Sequence, residues 1–190
     1  MDGVIIKDEK DSIMLQNLAI VKLLETLHKN DFINSEYFEK LEFDDIAYKN
    51  IFYEIGLNNT STLLLTLFLL LNQLLEFKSK GENIQLDDVD NLVRSRIVSI
   101  DFDGECLPKK FDFIKYIRNS IAHYNTSFKT YNEMTLVTFG SEIFIKVDGK
   151  NNKQKRNIKI GMYTNDVGMI LDYLYFKIIK HLNDKYHSKK

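Results

Sequence analysis

The feature that most constrains the fold is a nearly continuous apolar run at residues 63–75, LLLTLFLLLNQLL. A membrane-spanning helix needs about 20 apolar residues, whereas this run is interrupted at Asn72 and Gln73 and is closed by Glu76. The run therefore predicts a soluble helix that is buried on most sides, either inside a helical bundle or partly against a second subunit. The chain has only eight Gly and one Pro in 190 residues, which favours long helices over a many-stranded sandwich.

Apolar periodicity predicts further helices on both sides of that run. They are expected at residues 12–30 with Ser12 as N-cap, at 43–55 ended by Gly56, at 86–100, at 108–124 starting at Pro108, and at 166–186, with a short helix or turn at 31–41. The helical spacing continues through most of the first 125 residues, so the sequence predicts a mainly α protein.

Beyond residue 125 the apolar pattern changes to period two. Two alternating runs at 135–139 and 143–147 flank Gly140-Ser141, and a third lies at 158–160. They predict a β-hairpin that turns at Gly140-Ser141, extended by the third run to a meander, with a mobile basic loop at 148–156. We expect one domain over residues 1–190, made of a helical bundle (1–125), the hairpin or meander (131–163) and a closing helix (165–190).

The net charge of −1 hides an uneven distribution along the chain. Residues 1–145 carry 15 basic and 23 acidic side chains, whereas residues 146–190 carry 11 basic and 4 acidic ones. The single cysteine, Cys106, allows neither a disulfide framework nor a Cys-based zinc site within one chain. The N-terminus lacks the apolar segment of a signal peptide. Together these features predict a cytoplasmic protein.

One stretch, IRNSIAHY at residues 117–124, carries recognisable chemistry. At about 100° per residue, Asn119 and His123 lie about 40° apart on a helix, so the amide can hydrogen-bond to the imidazole and orient it. Arg118 lies about 140° from His123, but its long side chain can reach the same groove. A permanently charged guanidinium beside a group that titrates near neutrality suits phosphate chemistry without a metal.

The order Arg118-Asn119-x-x-Ala122-His123 late in a long helix resembles the R-x4–6-H signature of the HEPN superfamily. The resemblance implies a helical fold with a small hairpin after the motif helix, and a homodimer in which two motif helices face each other across a shared cleft. It also implies a cofactor-free, metal-independent endoribonuclease of phage defence, abortive-infection or toxin–antitoxin systems, leaving 2′,3′-cyclic phosphate and 5′-OH ends. An antitoxin or another defence protein would be a partner.

The resemblance implies a catalytic role for each motif residue. His123 would act as general base or acid, Arg118 would stabilise transition-state charge, and Asn119 would orient His123 or a phosphate oxygen. Further RNA contacts are predicted at Ser120, Lys150, Lys153, Lys155 and Arg156, with a solvated hairpin tip as the alternative for the four basic residues.

The chain departs from the signature of one group of HEPN toxins. Toxins controlled by a nucleotidyltransferase antitoxin often carry Tyr two residues after the His, whereas here Tyr124 follows directly and Asn125 takes the second place. Regulation through that Tyr is therefore not implied. The alternative to an RNase is a catalytically inactive HEPN-like module that binds RNA or nucleotides or serves protein interaction, because fold alone does not decide function.

Overall fold

The computed structural model describes residues 8–57, 59–104, 107–108, 111–146 and 153–187. Within these residues the elements are, in chain order, α1 (Glu9–Lys29), a 3₁₀ turn (Phe32–Asn34), α2 (Glu36–Glu39), α3 (Ile46–Ile55), α4 (Thr60–Ser79), α5 (Asp87–Ser95), β1 (Ser99–Phe102), α6 (Phe113–Ala122), β2 (Thr126–Tyr131), β3 (Met134–Lys146), β4 (Lys153–Tyr163) and α7 (Thr164–His187). They form two compact units, one from the described residues up to Thr66 and from Leu182 onward, the other from Leu67–His181. The fold is mainly α with a small antiparallel sheet, as predicted.

The first unit is held by an aromatic cluster and a buried carboxylate. Phe38 of α2 is buried, and four aromatic rings pack against it edge-on: those of Phe32, Phe43, Phe52 and Tyr53. Asp11 of α1 is also buried, and its Oδ2 accepts hydrogen bonds from Lys185 Nζ at 2.6 Å and Tyr186 Oη at 2.7 Å. Since a buried carboxylate needs partners of this kind, these bonds tie the two ends of the chain together within the unit.

The second unit is built around the sheet, whose strand order is β1-β4-β3-β2 with antiparallel pairing throughout. Side chains alternate between the two faces, and the apolar face of β3 and β4 is buried: Val137, Phe139, Ile158, Ile160 and Met162. Four residues of α7 in this unit are also buried: Val167, Ile170, Leu174 and Ile178. The core of the unit therefore lies on one face of the sheet, and the opposite face is left open.

The hairpin turn lies elsewhere than predicted. β2 and β3 turn at Asn132 and Glu133, whose φ angles are 43° and 70°, as a tight two-residue hairpin turn requires. Gly140 and Ser141 instead lie inside β3, where they pair with β4. The Gly140 N–H donates to the Asn125 carbonyl at 2.8 Å, so this glycine marks a close approach of two backbone segments rather than a turn.

Other boundaries also differ from the predictions. α1 begins at Glu9, so Ser12 lies inside the helix, and α6 begins at Phe113 rather than Pro108. The helix predicted at 86–100 ends at Ser95, and the last two residues of that range, Ser99 and Ile100, belong to β1, which pairs with β4. The basic loop is shorter than predicted because β4 begins at Lys153, and Lys150 lies outside the described residues.

The apolar run forms α4, as predicted. Seven of its side chains are buried: Thr66 and the apolar Leu64, Leu67, Leu70, Leu71, Leu74 and Phe77. Leu65 is 58% exposed. By length and composition alone α4 would also suit a membrane span, and 39% of its most apolar stretch is buried. Core helices of soluble proteins have the same length and composition, so α4 is weak support for a membrane location.

Candidate active site

The motif helix α6 is fixed at its N-terminus by two carboxylates. Asp112 is the N-cap, and its Oδ1 accepts the Lys115 N–H at 2.9 Å. Asp90 of α5 accepts the Phe113 N–H at 3.0 Å. These bonds satisfy backbone donors that the first turn of a helix leaves free, and they set where α6 starts.

One face of α6 is buried against the second unit's core. Its buried residues follow helical spacing: Phe113, Ile114, Tyr116, Ile117 and Ser120. The Tyr116 hydroxyl donates to the carbonyls of Ile158 at 2.6 Å and Phe139 at 3.3 Å, so it joins α6 to both central strands. Burial raises the pKa of Tyr116 from 10.0 to about 12, so the hydroxyl stays protonated and remains a donor even above pH 10. This face is therefore structural.

The C-terminus of α6 ends in a tight two-bond cap. His123 is the C-cap, the Tyr124 N–H donates to the Ile121 carbonyl at 3.0 Å, and the Asn125 N–H donates to the Ser120 carbonyl at 2.9 Å. This pair of bonds is the Schellman pattern, which needs a left-handed residue after the C-cap and usually uses Gly. Here that residue is Tyr124, with φ at 56°. Its side chain is 92% exposed.

The three predicted catalytic residues lie on the last turn of α6 and its cap. Arg118 and Asn119 are half-buried and His123 is exposed. The Arg118 Nε is buried and, within the part of the chain that the structure describes, has no hydrogen-bond partner. Asn119 and His123 are joined through the backbone, where the His123 N–H donates to the Asn119 carbonyl at 3.0 Å. Among the described residues, no bond links the Asn119 amide to the imidazole.

A cleft of about 790 Å³ opens on the uncovered face of the sheet. Its lining includes Asn125, two residues after His123, together with Gly140, Asp101 and Lys159, which lie side by side on neighbouring strands. The lining is mixed in charge and rich in hydroxyl and amide groups. The cleft therefore offers hydrogen-bonding groups close along the chain to the end of the motif helix.

The predicted RNA contacts are placed differently from one another. Ser120 is fully buried, and its hydroxyl donates to the Tyr116 carbonyl at 3.0 Å, so the prediction that it contacts RNA is wrong. Lys155 pairs with Glu142 at 2.5 Å. Arg156 donates to Gln154 Oε1 at 2.7 Å and to the Asp103 carbonyl at 3.4 Å. Lys153 is the first residue of β4. The described basic residues thus lie on a strand.

Comparison with known proteins gives one finding on the family. A family model described as HEPN pEK499 p136 matches residues 7–186, which is nearly the whole chain and includes all of α6. No curated protein and no solved structure matches the chain.

Proposed function

Because the chain belongs to this HEPN family, we propose that it is a metal-independent endoribonuclease whose catalytic residues are Arg118, Asn119 and His123. The observation that carries the proposal is the state of these side chains at the end of α6. His123 is exposed, and the Arg118 Nε has no partner within the described structure. An unpaired guanidinium N–H is costly unless an anion or water satisfies it, and guanidinium groups bind phosphate through charge-assisted, often bidentate hydrogen bonds.

The proposed reaction is attack of a ribose 2′-OH on the adjacent phosphorus. The O2′–P bond forms as the P–O5′ bond breaks, so the products are a 2′,3′-cyclic phosphate and a 5′-OH. A general base takes the 2′-OH proton, and a general acid gives a proton to the departing O5′. His123 is suited to both roles because one nitrogen of an imidazole can accept a proton while the other can donate one. Arg118 would stabilise the negative charge that accumulates on the non-bridging oxygens.

A homodimer would provide both proton-transfer groups at once. We propose that two copies of α6 face each other across a shared cleft, so that one His123 acts as base and its counterpart as acid. Asn119 would then hold a phosphate oxygen, since its amide forms no bond with the imidazole among the described residues.

The setting follows from the proposed activity. An RNase of this kind harms its own cell unless it is restrained, so we propose a cytoplasmic role in phage defence, abortive infection or a toxin–antitoxin pair. An antitoxin or another defence protein would then control when the cleft is open to RNA.

The second candidate function is a catalytically inactive HEPN-like module that binds RNA or nucleotides, or serves protein interaction. The observation that favours it is the backbone-only link between Asn119 and His123. Without that amide to orient it, the exposed imidazole lacks the fixed orientation that proton transfer requires.

The two candidates are separated by incubating the purified protein with single-stranded RNA in EDTA and analysing the ends of the products. We expect cleavage to cyclic phosphate ends, and losses of about 10²–10⁴-fold in His123→Ala and at least about 10²-fold in Arg118→Ala. Matched controls are His28→Ala, an exposed histidine on α1, and Lys115→Ala, an exposed residue of α6. Cleavage that persists equally in all four variants, or that disappears in EDTA, would contradict the proposed enzyme.

A further inference from the structure

Tyr124 adopts a backbone conformation that disfavours its own side chain. Its φ of 56° lies in the left-handed region, where the Cβ of an L-residue crowds the following carbonyl. The other non-glycine residues with positive φ in the described structure are Asp31, Asn132 and Glu133. Asp and Asn tolerate this region through their short polar side chains, and Glu133 lies in the hairpin turn that demands it. Tyr124 is the aromatic residue among the four.

The Tyr124 ring forms no interaction in the described structure that would offset this strain. It is 92% exposed, and within the described residues it takes part in no ring contact or side-chain hydrogen bond. Tyr116, Tyr173 and Tyr186 instead donate their hydroxyls to a carbonyl or a carboxylate. A glycine at position 124 would close the same cap without strain.

We propose that Tyr124 is a substrate-binding residue whose ring stacks on an RNA base next to the scissile phosphate. The inference rests on the proposed function and adds to it the part of the substrate that is held. Tyr124 directly follows His123, so their Cα atoms are about 3.8 Å apart. A phosphate at Arg118 and His123 therefore leaves a neighbouring base within reach of the ring. An exposed aromatic ring is the common platform for unpaired bases, and it tolerates any base because each has a π face.

Strain at such a position is consistent with a functional ring, because the fold alone would favour another residue there. The left-handed conformation ends the helix at once and turns the chain toward Asn125, which lines the cleft on the open sheet face. The ring thus lies on the chain between the proposed catalytic residues and that cleft.

The first test measures affinity for a short single-stranded RNA in a His123→Ala background, so that binding is read without cleavage. We expect Tyr124→Gly to raise the Kd about 10-fold or more, and Tyr124→Phe to keep the Kd of the parent protein. With an oligonucleotide of abasic sites, the Tyr124→Gly and parent proteins should bind equally. In the same preparations Tyr124→Gly should raise Tm by about 2–4 °C because the strain is removed.

The second test uses the absence of Trp from the sequence. In Tyr124→Trp the new side chain is the only indole, and stacking on a base should quench its emission as RNA saturates. Unchanged Kd in Tyr124→Gly, or unquenched emission, would overturn the inference. So would a fall in Tm, or dissociation of a dimer in Tyr124→Gly with RNA affinity retained, since the ring would then serve the fold or an interface between copies. Ring-dependent binding by a protein that cleaves no RNA would sustain this inference while the proposed activity fails.

Discussion

The ten-residue helix α6 has one face that packs in the core and another that carries the proposed catalytic residues. The inward face is apolar except for two hydroxyls, and both hydroxyls donate to backbone carbonyls inside the protein. The outward face and the cap carry Arg118, Asn119, His123 and Tyr124, residues that are half-buried or exposed. The residues that stabilise the helix and the proposed catalytic residues are thus almost entirely different. Substitutions should therefore be able to change the stability of the protein and its proposed activity independently.

The largest loss of stability is expected from Ile117→Ala, a substitution on the inward face. Ile117 is 1% exposed in the core between α6 and the sheet, so the substitution leaves a cavity that costs about 2–5 kcal/mol. Urea unfolding should show the loss as a lower midpoint with an unchanged slope. RNA cleavage per folded molecule should stay near wild type, because no proposed catalytic group is touched.

Lys115→Ala is the matched control on the same helix, since Lys115 is exposed and its replacement should change the free energy of unfolding by less than about 0.5 kcal/mol. If Ile117→Ala abolished cleavage while the protein remained folded, the division between the two faces would be wrong.

A smaller effect is expected from Tyr116→Phe, which removes the hydroxyl that joins α6 to β3 and β4. Losing its hydrogen bonds to the Ile158 and Phe139 carbonyls should cost about 1–3 kcal/mol, because the carbonyls stay buried. Urea unfolding at neutral pH measures this cost. An unchanged free energy of unfolding would show that the hydroxyl is not a structural link.

The pH dependence of the same variant tests the cause. The pKa of Tyr116 is about 12 in the folded protein, raised by burial from 10.0. Above pH 10 the unfolded chain releases this proton while the folded protein keeps it, so folded stability falls as pH rises from 10 toward 12. Tyr116→Phe has no such proton and should lose less stability over that window than wild type. Parallel losses in both proteins would contradict the assignment.

The apolar residues of the inward face are predictable from sequence, whereas Ser120 and the helix end are not. Ile114 and Ile117 are spaced at the helical period, and both are buried as their periodicity indicates. The prediction for Ser120 fails because polarity suggests exposure, whereas its hydroxyl is satisfied by a carbonyl one turn earlier. The left-handed Tyr124 carries no sequence signal, since the signal for that conformation is Gly or Asn.

The strands of the sheet also include positions that the local sequence pattern does not predict. Ile97 and Ile100 continue the helical stripe of α5, so nothing in the sequence alone marks residues 99–102 as a strand. Pairing with β4 decides the matter, and it depends on residues about 60 positions away in the chain. An isolated Gly between two alternating runs usually marks a turn, whereas at Gly140 the Asn125 carbonyl approaches the backbone instead.

The smallest effect is expected from the basic residues of segment 146–190. We predict that replacing Lys153, Lys155 and Arg156 with Gln lowers the affinity for RNA and its salt dependence but leaves cleavage at saturating RNA unchanged. Each phosphate interaction that the substitutions remove should reduce the slope of log K against log salt by about 1. Lys155 is already paired with Glu142, so the triple variant should lose fewer than three such interactions. Glu142→Gln, which frees Lys155, should raise affinity at low salt and steepen the slope. An unchanged slope in both variants would assign these charges to solubility and leave RNA binding to the end of α6.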